Sequence, residues 1–156
     1  MNKRIKTLFV LFICLNVMCQ EPLEPDWKDL NYAGNEQGYH MMDIYLPKKN
    51  KKKYPVVMTI YGSAWGRNDK KGANKRKKEA LIKSGFAVVS INHRSSYDAI
   101  FPAQIHDVKA AIRFIRGNAK KYKIDTSFFG ISGSSSGCLL YTSDAADEED
   151  SVDLGG

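Results

Sequence analysis

The chain is poor in the residues that staple small folds together. Of its 156 residues only three are cysteine, at Cys14, Cys19 and Cys138, and none falls between residues 20 and 137. That stretch can hold neither a disulfide framework nor a thiolate zinc site. The three histidines, His40, His93 and His106, are too scattered to suggest a metal set, so no metal is expected. Long hydrophobic runs are missing too. The apolar run TLFVLFICLNVM at 7–18 is twelve residues long, too short to cross a bilayer as a helix. No internal repeat or low-complexity linker divides the chain, and its length suits one modest domain.

What is present at the start is a basic segment, MNKRIK, leading into that apolar run. The pattern predicts a signal peptide over 1–19, cleaved after Cys19, and hence export to the periplasm or medium. The alternative is a lipoprotein anchored through Cys19, for which Asn16-Val17-Met18 is a poor lipobox. The formal net charge of +7 hides an uneven distribution. Six acids crowd the tail (Asp144, Asp147, Glu148, Glu149, Asp150, Asp153), so the body is more basic than the whole. The excess sits in KKNKKK at 48–53 and KKGANKRKK at 70–78. No aromatic residues interleave with these lysines as a nucleic-acid platform would require. They read as solvated loop lysines that keep the fold soluble, with no nucleic-acid partner.

The body alternates strand and helix signals. EPLEPDWKDLNYAG is a proline-containing lead-in followed by a weak strand, and HMMDIYLP predicts a strand over 40–46. PVVMTIYG and FAVVSINHR are near-continuous apolar runs, the mark of parallel strands covered on both faces, expected at 55–61 and 86–92. Between them, residues 73–84 favour a helix ended by Gly85. From Pro102, apolar residues at Ile105, Val108, Ile112, Ile115, Ala119 and Tyr122 step by three and four, giving one stripe on a second helix. Asp107 near its front and Arg113 and Arg116 near its end complement the helix dipole. FFGIS at 128–132 is the next strand. This order implies an α/β fold with a mostly parallel sheet and crossover helices.

Two loops carry candidate chemistry. Gly133-Ser134-Ser135-Ser136-Gly137 fits G-x-S-x-G directly after a predicted strand, which makes Ser135 the candidate nucleophile. Glycines are needed at 133 and 137 because a sharp strand-to-helix turn brings the flanking backbone too close for side chains. The second loop, IYGSAWG at 60–66, follows the strand 55–61. Its small residues suit close approach of backbone N–H groups to a developing oxyanion. The expected donors are the amides of Ser63, Ala64 and Ser136.

Together DIYLP, YPVVMTIYGSAW, FAVVSINHR, FPAQIHDVKAAIRFIRGNAKKYKID and GISGSSSG resemble the α/β-hydrolase superfamily. They are most similar to secreted bacterial carboxylesterases of the acetyl-esterase, feruloyl-esterase-like and hormone-sensitive-lipase-like branches. The resemblance covers about residues 40–137. It departs at Tyr61, where the family usually has histidine, and at Ser63-Ala64, where it has two glycines. It implies a serine hydrolase acting on esters, with acetyl or feruloyl esters on extracellular polysaccharide as the favoured class, through an acyl-enzyme on Ser135 and with no cofactor. It also implies that Arg94 and Asp107 form a structural ion pair. The family's triad runs Ser, then Asp or Glu, then His. Asp107, His93 and His106 precede Ser135, so they fall outside it, and the two histidines read as packing or surface residues. A peptidase or lipase of the same fold, or a non-catalytic binding module with a basic surface, are the rival readings.

The tail departs from this pattern. After Gly137 the helix should continue amphipathically, yet CLLYTSDAADEEDSVDLGG has no such period. CLLYTSDAADE resembles a translated transposase adapter, and SVDLGG resembles translated flow-cell adapter. The expectation is a partial hydrolase domain at 20–137, the front half of the sheet, followed by a non-native tail at 138–156. Such a chain lacks the triad acid and histidine and is expected to be inactive by itself, with an unpaired sheet edge.

Overall fold

The computed structural model describes residues 23–139, apart from 68, 73 and 74. The expected leader and all but the first two residues of the expected tail lie outside the described residues. Five strands form one sheet: β1 (Trp27–Asn31), β2 (Met41–Tyr45), β3 (Tyr54–Ile60), β4 (Ala87–Ile91) and β5 (Ile124–Gly133). Among the described residues α1 (Lys75–Lys83) and α2 (Ala103–Gly117) are the α-helices with both ends described, and a 3-10 turn spans Gly38–His40. The strand order is β1-β2-β4-β3-β5. β3 runs parallel to both β4 and β5, whereas β2 is antiparallel to β1 and to β4. The sheet is therefore mixed, three parallel strands with an antiparallel pair on one edge.

Burial follows from residue type. All five residues of β4 are buried, as are six of the seven in β3. These central strands are rich in Val and Ile, which pack well on a pleated surface. On α2, Ile105, Val108, Ala111, Ile112 and Ile115 are buried and join the core with Met42, Ile44, Met58 and Ile91. Each of the Val, Ile and Met side chains among these contributes about 1.5–3 kcal/mol relative to exposure. α1 ends in a Schellman turn. The Phe86 N–H donates to the Leu81 carbonyl, the Gly85 N–H donates to the Ile82 carbonyl, and Gly85 has φ +95°.

Several expectations need correction. β1 lies inside the lead-in at 27–31, not after it, because its backbone pairs with β2. α2 stops at Gly117; Tyr122 reaches the core from the following turn, edge-on to Trp27 at 5.3 Å. β5 begins at Ile124, earlier than expected. Its register against β3 shifts between Pro55 and Val56, so that Asp125 faces Pro55 but Phe129 faces Val56. Asp125 shapes that bulge by accepting from the Ser127 N–H and hydroxyl and from Lys53 Nζ. Asp107 lies beyond the first turn of α2, so it does not serve the helix dipole; it is buried and paired with Arg94 and His40. The lysine run 70–78 is not wholly solvated, since Lys70 and Lys78 are 5% and 3% exposed. Lys70 Nζ pairs with Asp43 at 2.5 Å and Asp29 at 2.7 Å.

Candidate active site

β3 and β5 run parallel, so their C-terminal ends deliver two turns side by side. The turn after β5 carries Ser135, which is exposed and holds φ +54°, a left-handed backbone rare for serine. The residues beyond it enter a helical turn, with the Gly137 and Cys138 N–H groups donating to the Ser134 and Ser135 carbonyls at 3.0 and 2.9 Å. Three glycines make this possible. A Cβ on Gly133 would lie 2.4 Å from the Gly137 carbonyl group, and one on Gly137 would lie 2.7 Å from the Ile60 oxygen. A Cβ on Gly62 would lie 1.7 Å from the Ser134 oxygen. The first two are the glycines of the motif; Gly62 locks the neighbouring loop against the same turn.

The loop after β3 is held at both ends by Ser63. Its N–H donates to Ser136 Oγ at 3.1 Å. Its hydroxyl donates to the Arg67 carbonyl and accepts from the Arg67 N–H, and its carbonyl accepts from Gly66. Ala64 and Trp65 follow with φ +50° and +68°, a backbone strain of the kind that gathers at functional sites. The Ser63 amide, expected as an oxyanion donor, is therefore engaged by the Ser136 side chain. The amides of Ala64 and Ser136 are left as the proposed donors. Serine in place of glycine at 63 supplies side-chain bonds that shape the turn, something the motif alone did not reveal.

Arg94 and Asp107 form the expected ion pair. Arg94 Nη2 lies 2.6 Å from Asp107 Oδ1, the Arg94 N–H donates to Oδ2 at 2.8 Å, and Nε donates to both oxygens. The bonds to Asp107 raise the Arg94 pKa, keeping the guanidinium charged. The pair also has a third member that sequence reasoning missed. His40 is buried, with Nε2 3.1 Å from Asp107 Oδ1 and Nδ1 beside the Asn35 amide. No local signal could have placed it, because His40 and Asp107 stand 67 residues apart. Among the described residues no hydrogen bond joins Arg94 or Asp107 to Ser135. Two residues after Arg94, Ser96 ties its own loop to the loop after β3: its N–H and hydroxyl donate to the Trp65 carbonyl at 2.8 and 3.2 Å. Ser95 holds the base of that loop by two bonds to Asp98 Oδ2, which lower the Asp98 pKa.

Of the two histidines set aside earlier, His93 is buried with Nδ1 2.8 Å from the Arg94 carbonyl, and His106 is exposed on α2. Among the described residues no group of three His, Cys, Asp or Glu side chains could hold a metal ion, and no helix is long and apolar enough to cross a membrane.

A mixed sheet with a glycine-gripped serine at the end of a parallel strand, beside a strained loop from the adjacent strand, is the front of an α/β-hydrolase. Residues 42–152 match the BD-FAE family model, and the chain belongs to that family. Esterase LipQ of Mycobacterium tuberculosis is 36% identical over 86 residues, 55% of this chain and 20% of that protein. Among solved structures, the bifunctional GH43-CE protein of Bacteroides eggerthii is 59% identical with a TM-score of 0.72. That match covers 73% of this chain and 16% of that one. A truncated form of a carbohydrate esterase from gut microbiota is 52% identical with a TM-score of 0.73, over 78% of this chain and 43% of that one. The chain thus spans less than half the length of each of these relatives.

Proposed function

We propose that this chain is the front part of an exported carboxylic-ester hydrolase whose nucleophile is Ser135. The observation that carries the reading is the turn itself: an exposed serine at φ +54°, gripped by glycines that admit no Cβ. Ser135 Oγ attacks the ester carbonyl carbon and passes its proton to a histidine supplied beyond Ser135, oriented by an Asp or Glu. The Ala64 and Ser136 amides meet the oxyanion. The alcohol leaves with that proton, and water then hydrolyses the acyl-enzyme to free acid and Ser135. No cofactor is required by these steps.

The substrate reading is an acetyl or feruloyl ester on extracellular polysaccharide. It is supported by the 52% likeness to a carbohydrate esterase and by the leader-like residues 1–19. In the whole protein, Ser135→Ala should cut kcat with p-nitrophenyl acetate by about 10⁶-fold; undiminished turnover would remove Ser135 from the mechanism. Within these 156 residues no histidine follows Ser135, and His40 is held by Asp107. The 156-residue chain alone should therefore resist labelling by a fluorophosphonate probe, because a serine without a base is a weak nucleophile. Stoichiometric labelling at Ser135 would show that a base already lies within the chain.

A further inference from the structure

The lysine run 70–78 takes part in a feature that the hydrolase reading does not use. A cavity of about 300 Å³ opens between β1, β2 and α1. Four lysines line it: Lys28 from β1, Lys71 from the loop before α1, and Lys75 and Lys78 from α1. Only two carboxylates face them, Glu24 and Asp43. Asp43 is already committed, because its Oδ1 accepts from Lys70 Nζ and from the Asp29 N–H at 2.9 Å. Asp29 is likewise drawn to Lys70. Lys75 pairs with the half-buried Glu79 of its own helix, at 3.7 Å. Among the described residues Lys28, Lys71 and Lys78 have no carboxylate within 4.0 Å. Among the lining residues lysines thus outnumber carboxylates four to two; beyond the lining, Asp69 acts on Lys78 and Asp29 on Lys28 and Lys71.

Lys78 is the telling member. It is 3% exposed, and long charged side chains are almost never buried unless paired. Its ammonium reaches two backbone carbonyls, of Lys70 and Lys71, at 3.3 and 3.4 Å, and lies 5.0 Å from the centre of the Tyr45 ring. These are long contacts to neutral groups, and an ammonium has three donors to place. Burial lowers the Lys78 pKa. An arriving anion would give the Lys78 ammonium a charged partner and offset the repulsion among its neighbours. The volume is at the small end of ligand pockets, roughly 300–1,000 Å³, with room for a single ring or a phosphate group and not for a length of polymer.

We propose that this cavity is a binding site for a small oxyanion-bearing ligand, a carboxylate or phosphate group on a molecule of about one sugar ring, held by Lys78 with Lys71, Lys75 and Lys28. The site is independent of Ser135 and of any ester chemistry. The test is isothermal titration calorimetry on the whole protein at low salt, with D-galacturonate, inorganic phosphate and neutral D-galactose in separate runs. Saturable binding of an anion but not of galactose is expected, weakening as salt is raised. Binding of galacturonate alone assigns a sugar carboxylate; binding of phosphate alone assigns a phosphorylated ligand. Lys78→Met should weaken the anion about tenfold or more, as expected for losing a hydrogen bond from a charged group. Lys71→Gln with Lys75→Gln changes only exposed positions and should weaken it several-fold, so it decides the matter if Lys78→Met does not fold. Failure of both anions to bind, or binding unchanged in the Lys71→Gln/Lys75→Gln protein, would overturn the site.

Discussion

The two halves of the sheet are held by different physics. In the parallel half, β4-β3-β5, position is set by shape. The central strands β3 and β4 are apolar and buried, and the turns after β3 and β5 meet through glycines whose missing Cβ atoms leave room for Ile60, Ser134 and Gly137 backbone. In the antiparallel half, β1-β2, position is set by charge. Lys70 links Asp29 of β1 to Asp43 of β2, its backbone N–H donates to Asn92 Oδ1 at 2.7 Å, and its carbonyl accepts from Ser90 and Lys78. Asn92 in turn bonds the Gly38 carbonyl and, through its own carbonyl, the Tyr32 hydroxyl. The comparison teaches that the site half should be intolerant of added atoms, whereas the edge half should be sensitive to lost charge, acid and salt.

The largest effect should come from breaking the charged half. Lys70→Met leaves Asp43, with 2% of its side chain exposed, as a buried charge beside a partner that has gone. A loss of about 3–5 kcal/mol is expected, read from urea denaturation of the whole protein. A change within 1 kcal/mol would show that the network is not what anchors this edge.

Acid sharpens the same point. The hydrogen bond from Lys70 holds the Asp29 carboxyl below its ordinary value of 3.8. Its contribution is complete above that pH and is lost as pH falls through the folded-state value. Burial depresses the Lys70 pKa, but its bonds to Asp29 and Asp43 outweigh this and leave it raised above 10.5. Its contribution is thus complete below 10.5 and is lost only as pH rises through the folded value. The stability gap between wild type and Lys70→Met should therefore narrow from pH 7 towards pH 3. A gap of equal size at both would deny the ion pair its role.

Gly62→Ala tests the other half. The new methyl meets the Ser134 oxygen at 1.7 Å, so the two site loops must part. A displacement of about 1 Å at a reacting centre can cost roughly 10²-fold in rate, which kinetics with p-nitrophenyl acetate on the whole protein would read. Acid sensitivity should stay that of the wild type. Full activity would mean that the loop and the serine turn are not mutually positioned. Gly85→Ala gives the smallest effect. It touches neither half's contacts, since a Cβ there meets nothing within 4 Å. Only the φ of +95° resists it, for about 1–2 kcal/mol in thermal or urea unfolding.

What the sequence alone determined is the part governed by short-range rules. Runs of Val and Ile bounded by Pro and Gly specified β3 and β4 to within a residue, since a strand buried on both faces needs apolar residues at consecutive positions. The spacing Gly133–Ser135–Gly137 marked the turn because Gly133 meets the Gly137 backbone within five residues, although what Gly137 itself meets is Ile60 on the neighbouring strand. Gly85 announced its helix end for the same reason. Only the tertiary structure decided what the polar groups do. Lys70 and Lys78 look like any solvated lysines until Asp43, 27 residues from Lys70, and the Tyr45 ring close over them. Ser63 looks like a poor substitute for glycine until Ser136, 73 residues away, accepts its N–H. A charge or a hydroxyl takes its energy from its partners and its burial, and both are assembled by contacts far apart along the chain.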